Sequence, residues 1–130
     1  MSQIDPQPDG RPDGRASSAI ANLIVRLFSE HAGRGPTRAR AYVQDDIINV
    51  VLRDTLTRGE QGLVQEGHSQ QVLEMRRLYQ DTMRADAISG VEKLTGRRVA
   101  AFLSSNHIDP DVAVETFLLE PRSGRPAFVE

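Results

Sequence analysis

The feature that most constrains this chain is one long stretch of helical periodicity in its second half. From about Gln70 to Leu94, apolar side chains recur every three or four residues, which predicts a single amphipathic helix. Ser69 stands where this helix opens, and Gly96 stands where it ends. An apolar stripe of this length must be buried against other elements, so the helix indicates a layered domain. The stripe consists of Val72, Met75, Tyr79, Met83, Ala87, Val91 and Leu94.

The other segments alternate between helix and strand patterns. One helix is predicted from Ser17 or Ser18 to Ala32, and a short one from Arg58 to Glu66 behind a Thr57 and Glu60 capping box. Period-two patterns predict strands over Thr37 to Val43, Ile47 to Arg53, Arg97 to Ser104 and Val112 to Glu120. The order α-β-β-α-α-β-β predicts an α+β fold, a two-layer sandwich with helices on one face of an antiparallel sheet.

Composition sets the domain limits and the broad class. Residues 1–15 are rich in Pro, Asp and Gly and predict a disordered leader, residues 16–121 a single domain, and residues 122–130 a tail. The sequence has neither a signal peptide pattern nor an apolar run long enough to span a bilayer. With no cysteine and a net charge of -2, we expect a small soluble cytoplasmic domain, peripheral at a membrane only through a partner.

Catalytic motifs are not evident. No serine lies in a Gly-x-Ser-x-Gly elbow, no glycine-rich dinucleotide motif occurs, and the three histidines lack metal-ligand spacing. The paired Asp45 and Asp46 lie in a predicted hairpin turn, where adjacent carboxylates point apart. The sequence therefore predicts a protein that binds rather than catalyses, with no cofactor and no metal.

Two polar segments are the candidate binding surfaces. The first is a glycine-rich break between helix and strand, for which a helix stop followed by a proline-fixed strand entry is the simpler interpretation. The second is a loop from Asn106 to Asp111, which also fits a folded connector whose side chains bond its own backbone. The candidate binding residues are Gly33, Arg34, Gly35, Pro36, Asn106, His107, Asp109 and Asp111.

A partly apolar second sheet face predicts a partner, and a symmetric homodimer is the simplest one. A register error of one residue would remove this argument. The residues assigned to this face are Tyr42, Ile47, Val51, Phe102, Phe117 and Leu119. The alternative is a KH- or BolA-like nucleic-acid-binding module or a small-ligand sensor, for which Arg34, Arg38, Arg40 and Arg53 would form a basic strip. The acidic balance, the few aromatic residues and the lack of a Gly-x-x-Gly loop make nucleic acid the weaker reading.

Several blocks in the same order resemble a known bacterial family. They are Gly33 to Arg40, Val50 to Thr57, Val72 to Arg77, Leu94 to Arg97, Ser105 to Asp111 and Leu119 to Pro121. Together they resemble the MpsC-type component of a Na+-translocating, membrane-potential-generating system, over about Ala16 to Pro121. The resemblance implies a soluble accessory or regulatory protein of a membrane system that moves cations or inorganic carbon. It implies a membrane transporter as a partner, and it brings no catalytic residues with it.

Overall fold

The structure is a computed structural model that describes residues 14–122 of the chain. Within that range the helices are α1 (Gly14–Ala32), α2 (Arg58–Gln65) and α3 (Ser69–Thr95). The strands are β1 (Arg38–Gln44), β2 (Ile47–Arg53), β3 (Val99–His107) and β4 (Val112–Leu119). The predicted element order and the α+β class are confirmed.

The strands form one antiparallel sheet in the order β1-β2-β4-β3. Each hairpin therefore contributes one edge strand and one central strand. The two-residue turn of the first hairpin, Asp45 and Asp46, places Asp45 in the left-handed region with a φ of 54°. Aspartate tolerates this conformation better than most residues because its short side chain bonds locally.

Helices α1 and α3 pack against each other and cover one face of the sheet, while α2 packs on α3. Gly90 permits the close approach of α1 to α3, because a Cβ at this position would lie 2.5 Å from Leu23 Cδ2. The hydrophobic core lies between these two layers. Its buried members are Ile20, Ile24, Leu27, Phe28, Ile48, Val50, Leu52, Met83, Ala87, Val91, Phe102, Ala113, Phe117 and Leu119.

Most predicted boundaries are close to the observed ones. The predicted bounds of β2 are confirmed at both ends, and the capping box forms, with Glu60 N donating to Thr57 Oγ1 at 3.1 Å and Thr57 N donating to Glu60 Oε1 at 2.8 Å. The first helix begins at Gly14 rather than at Ser17 or Ser18. The rest of the predicted leader, residues 1–13, and the predicted tail from residue 123 lie outside the described residues.

The third strand runs beyond its predicted end at Ser104. It continues to His107, so Asn106 and His107 belong to β3 and the connecting turn is shorter than the predicted loop. These polar residues continue the strand because they pair with Ala113 and Val112 of β4, and this pairing satisfies their backbone groups.

The assignment of residues to the second sheet face was wrong for Phe102, Phe117 and Leu119. All three are buried beneath the helices, with exposed fractions of 5%, 0% and 2%. Along β4, Phe117 and Leu119 share their face with Glu115, and a strand face that carries a glutamate ordinarily points to solvent. Here Glu115 is itself buried, so the presence of a glutamate does not mark the solvent-facing side of this strand.

Arg76 is buried, with an exposed fraction of 2%, whereas its neighbour Arg77 is exposed. On α3 the buried positions in this region are Arg76 and Gln80, whereas the predicted stripe residues Met75 and Tyr79 are only half-buried. A polar pair therefore replaces the apolar stripe in this part of α3.

Candidate functional site

The segment from Gly33 to Pro36 forms the end of α1 and the entry to β1. Gly33 has a φ of 83°, and its N–H donates to the carbonyl oxygen of Ser29 at 3.1 Å, which closes the helix. Arg34 Nη1 donates to the carbonyl oxygen of Leu56, Gly35 packs against α1 and Pro36 is half-buried. These contacts account for the segment as a helix stop, and its role in binding stays a prediction.

The segment from Asn106 to Asp111 has an inward and an outward part. The side-chain amides of Asn106 and Gln80 bond reciprocally, at 2.8 Å from Asn106 Nδ2 to Gln80 Oε1 and at 3.1 Å in the other direction. The exposed His107 ring has its Nδ1 at 2.8 Å from the carbonyl oxygen of Pro110. Asp109 is exposed. The exposed residues of this segment are therefore His107, Asp109 and Pro110.

Asp111 fixes the connection between β2 and α2. Its Oδ1 accepts hydrogen bonds from the backbone N and the hydroxyl of Thr55, at 3.0 and 2.9 Å, and its Oδ2 accepts one from Leu56 N at 3.0 Å. Since Arg34 binds the carbonyl oxygen of the same Leu56, the two predicted segments meet at residues 54–57. The structure thus brings the segments together, and it does so through bonds that hold this connection in place.

A buried polar cluster begins behind this connection. Arg76 Nη2 donates to the hydroxyl oxygen of Thr55, and Arg76 Nε lies 3.5 Å from Glu60 Oε2. The guanidinium also lies over the Phe28 ring, with 5.5 Å from Cζ to the ring centroid. Because both charges are buried, each depends on the other to offset the cost of its lost hydration.

The second part of the cluster surrounds Glu115 on β4. Gln80 Nε2 donates to Glu115 Oε1 at 2.8 Å, and the Ser104 hydroxyl donates to Glu115 Oε2. Burial raises the pKa of the Glu115 carboxyl to about 7, although the hydrogen bonds from Ser104 and Gln80 and the positive charge of Arg76 act in the opposite direction. We define the buried polar cluster as Thr55, Glu60, Arg76, Gln80, Ser104, Asn106 and Glu115.

This cluster joins α2 and α3 to the sheet beneath them. Its side chains bond mainly to one another, across the otherwise apolar layer between α3 and the strands. Among residues 14–122, no group of three or more His, Asp or Glu side chains is placed to hold a metal ion. The arrangement favours a structural role, since buried polar groups that bond to one another stabilise one particular packing. Within residues 14–122, Glu60 Oε2 and Arg76 Nη1 are the two buried side-chain atoms that have no hydrogen-bond partner.

The opposite face of the sheet, which α1 and α3 leave uncovered, is the candidate interaction surface. We call it the open face. Cross-strand partners share a face, so the strand register places its side chains in four rows from one end to the other. The rows are Arg38, Arg53, Val112 and His107; Arg40, Val51, Val114 and Ser105; Tyr42, Asn49, Thr116 and Leu103; and Gln44, Ile47, Leu118 and Ala101.

The open face is apolar over much of its length and basic at one corner. Tyr42, Ile47 and Leu103 are 51%, 43% and 56% exposed, which is unusual for side chains of this size. Arg38, Arg40 and Arg53 are exposed at the other end of β1 and β2, and we call these three residues the arginine corner. Arg34 of the predicted basic strip does not join them, because its guanidinium points to Leu56.

Sequence reasoning missed several residues of this surface. It also missed the buried polar cluster, of which it had singled out only Asn106, as a candidate binding residue, and Glu60, as part of the capping box. The alternation of Val112, Val114 and Leu118 in β4 is a signal that identifies them as one face. No comparable signal marks Arg76, Gln80 or Glu115, because a buried charged residue has the same sequence pattern as an exposed one.

Comparison with known proteins gives the family. The family model described as "Na+-translocating membrane potential-generating system (MpsC)" matches residues 13–121, and the chain belongs to this family. Neither the search of curated proteins nor the search of solved structures gave a match. Among the described residues, no helix has both the length and the apolar character that crossing a membrane requires.

Proposed function

We propose that this protein is a non-catalytic, homodimeric binding component of a Na+-translocating membrane system, acting from the cytoplasm on a membrane transporter. The observation that carries the proposal is the apolar open face, which no helix within residues 14–122 covers. Membership of the MpsC family supports the association with a membrane-potential-generating system. We propose that the chain is held at the membrane by binding to this transporter.

A second copy of the chain is the simplest occupant of the open face. Each of the four strands contributes an apolar side chain to this face: Tyr42, Ile47 and Leu103 are exposed, and Val114 is half-buried. The polar pair Asn49 and Thr116 lies between Tyr42 and Leu103 in their row. Two antiparallel sheets pack face to face at a separation of about 10 Å, with their strands rotated by about 30°. In a dimer with two-fold symmetry, the open face of one copy would pack against the open face of the other, as in most homodimers.

The size of the face is adequate for a modest dimer. Four strands of about seven residues span roughly 19 Å by roughly 24 Å, from standard strand spacing and rise. Stable interfaces bury about 800 Å² on each partner, so the sheet supplies the centre and the adjoining turns must supply the rim. We therefore expect a dimer whose population depends on protein concentration.

The buried polar cluster supports the non-catalytic part of the proposal. A catalytic carboxylate has to reach substrate, whereas Glu115 is fully buried and bonded to Gln80 and Ser104. Asp111 is likewise occupied by three hydrogen bonds to residues 55 and 56.

Self-association is tested on the purified full chain by light scattering coupled to gel filtration. Wild type should show twice the 14.4 kDa chain mass, and Leu103→Glu and Ile47→Glu should weaken the dimer at least about tenfold, because each places a charge within an apolar interface. Leu78→Glu is the matched control, since Leu78 is 64% exposed on α3, away from the open face. A wild-type chain that stays monomeric at its highest soluble concentration would contradict the dimer.

The functional part is tested in the source cells. Deletion of the gene should lower the Na+-dependent membrane potential, and the tagged chain should co-purify with integral membrane transport proteins from gently solubilised membranes. Wild type and Leu78→Glu should restore the potential, whereas Leu103→Glu should restore less of it. A deletion strain with unchanged membrane potential over a range of Na+ concentrations would reject the role in this system.

A further inference from the structure

We propose that the arginine corner is a binding site for a phosphate-bearing anion. Its three guanidiniums lie around one surface hollow of about 540 Å³ on the open face. This inference goes beyond the proposed function and does not depend on the dimer, because β1 is an edge strand and the hollow lies at the border of the sheet. The residues that line it are Thr37, Arg38, Ala39, Arg40, Tyr42, Val51 and Arg53.

The register of the first hairpin concentrates the positive charge. Arg38 of β1 lies directly opposite Arg53 of β2, and Arg40 follows on the same side of β1. Like charges in directly opposed positions of a sheet are destabilising. Arginine side chains keep their charge at all physiological pH values, so this repulsion persists unless an anion lies between them.

Within residues 14–122, no carboxylate lies within ion-pair distance of Arg38, Arg40 or Arg53. Arg40 makes a cation-π contact with the Tyr42 ring, with 5.3 Å from Cζ to the ring centroid. Elsewhere, Asp46 pairs with Arg97 at 2.6 Å and Glu60 pairs with Arg76. The positive charge of the corner is thus available to a ligand from outside the chain.

The chemistry of the hollow favours phosphate. Guanidinium groups present paired N–H donors whose geometry matches phosphate oxygens, and three of them suit a ligand with two or more negative charges. The ring of Tyr42 and the aliphatic side chain of Val51 add an apolar wall for the group that carries the phosphate. Both a soluble phosphate compound and a phospholipid headgroup have this chemistry.

Asp54 limits the affinity of the site and provides a second test. Its Oδ2 accepts a hydrogen bond from the Thr37 hydroxyl at 2.5 Å, so its negative charge lies beside the wall of the hollow. Asp54 has a φ of 59°, a conformation that asparagine also tolerates. Asp54→Asn should therefore remove the charge and keep the turn.

The experiment uses the full chain and two phosphate probes at low salt. Calorimetric titration with inorganic pyrophosphate tests the soluble source, and co-sedimentation with phosphatidylglycerol vesicles, against phosphatidylcholine vesicles, tests the headgroup. We expect Arg38→Gln and Arg53→Gln each to weaken binding by about tenfold and Asp54→Asn to strengthen it by about threefold, since hydrogen bonds to charged groups dominate such sites. Arg77→Gln on α3 is the control of equal charge, and it should leave binding unchanged.

Each outcome decides the proposal. Binding of pyrophosphate, or of phosphatidylglycerol vesicles alone, that depends on Arg38 and Arg53 supports it and identifies the source of the phosphate. Absence of binding to both probes overturns it, as does an equal loss in Arg77→Gln, which would show a general charge effect. Binding of an RNA oligonucleotide but of neither probe also overturns it, in favour of a nucleic-acid surface.

Self-association is measured independently of anion binding, so that either proposal can fail without the other. The same samples are measured by light scattering, so a monomer that binds pyrophosphate keeps the anion site and rejects the dimer. A dimer that binds neither probe does the reverse. The thermal unfolding of each variant verifies that these exposed substitutions leave the fold intact.

Discussion

The two faces of the sheet are built from alternate residues of the same strands, yet they differ in what completes them. Under the helices, Ile48, Val50 and Phe117 are fully buried by other parts of the same chain. On the open face, Tyr42, Ile47 and Leu103 are apolar but remain about half exposed. The first face is therefore covered by other described elements of the chain, whereas no helix within residues 14–122 covers the second.

The comparison also shows where charge is tolerated. The helix-covered face contains Glu115, and the helices above it carry Arg76 and Glu60; each of these groups has partners within the same chain. The open face contains the arginine corner, whose three charges form no ion pair within residues 14–122. A buried charge needs a partner within the fold to offset its lost hydration, whereas an exposed charge remains hydrated without one.

The sharpest test of this comparison uses neighbouring residues of β4 that point to opposite faces. Phe117→Ala should lower the free energy of unfolding by about 4 kcal/mol, because it leaves a cavity in the core. Leu118→Ala, on the open face, should cost less than about 1 kcal/mol in the monomer and weaken self-association instead. Chemical denaturation at low protein concentration measures both. Equal losses of stability would show that the two faces are not distinct.

Another adjacent pair tests the buried charge on α3. Arg76→Ala should cost about 3 kcal/mol, because it leaves Glu60 buried without its ion-pair partner. Arg77→Ala, one residue further along and exposed, should stay within about 0.5 kcal/mol of wild type. Thermal unfolding of the two variants side by side is sufficient. If Arg76→Ala were as stable as Arg77→Ala, the buried polar cluster would not hold the helices on the sheet.

The last effect depends on pH, concerns Glu115 and reaches its full size of about 3 kcal/mol only above about pH 7. Burial raises the pKa of its carboxyl from 4.5 to about 7, so the folded chain retains a proton that the unfolded chain loses. Stability from this group is therefore full below about pH 4.5, falls as the pH rises to about 7 and is level above that. Glu115→Gln mimics the neutral form and should remove this slope, leaving the variant more stable than wild type at pH 8.

Denaturation curves between pH 5 and about pH 8 measure this slope. The control is Glu74→Gln, which removes an exposed carboxylate from α3 and should keep the wild-type slope. A Glu115→Gln variant with the same pH dependence as wild type would assign the slope to other groups.

The sequence predicted the helices and strands well, but it predicted less well which residues lie on each face of the sheet. Periodicity located α3, the capping box identified the start of α2, and the short turn at Asp45 and Asp46 identified the first hairpin, because each of these signals is local. Phe117 and Leu119 of β4 were assigned to the wrong face of the sheet, because both faces of this strand are largely apolar and Glu115 lies on the buried one. For the candidate site, the arginines of the hairpin were visible in the sequence, but their grouping around one hollow required the register.

The sequence by itself determined the order of helices and strands and the family to which the chain belongs, since both depend on patterns along the chain. Only the tertiary structure decided which face of each strand is covered. It also decided that Arg76, Gln80 and Glu115 are buried together, and that Arg38 and Arg53 face each other. The physical reason is that alternation and periodicity describe one segment at a time. Burial depends on contacts with other segments, and the pairing of Arg38 with Arg53 depends on the register between two strands.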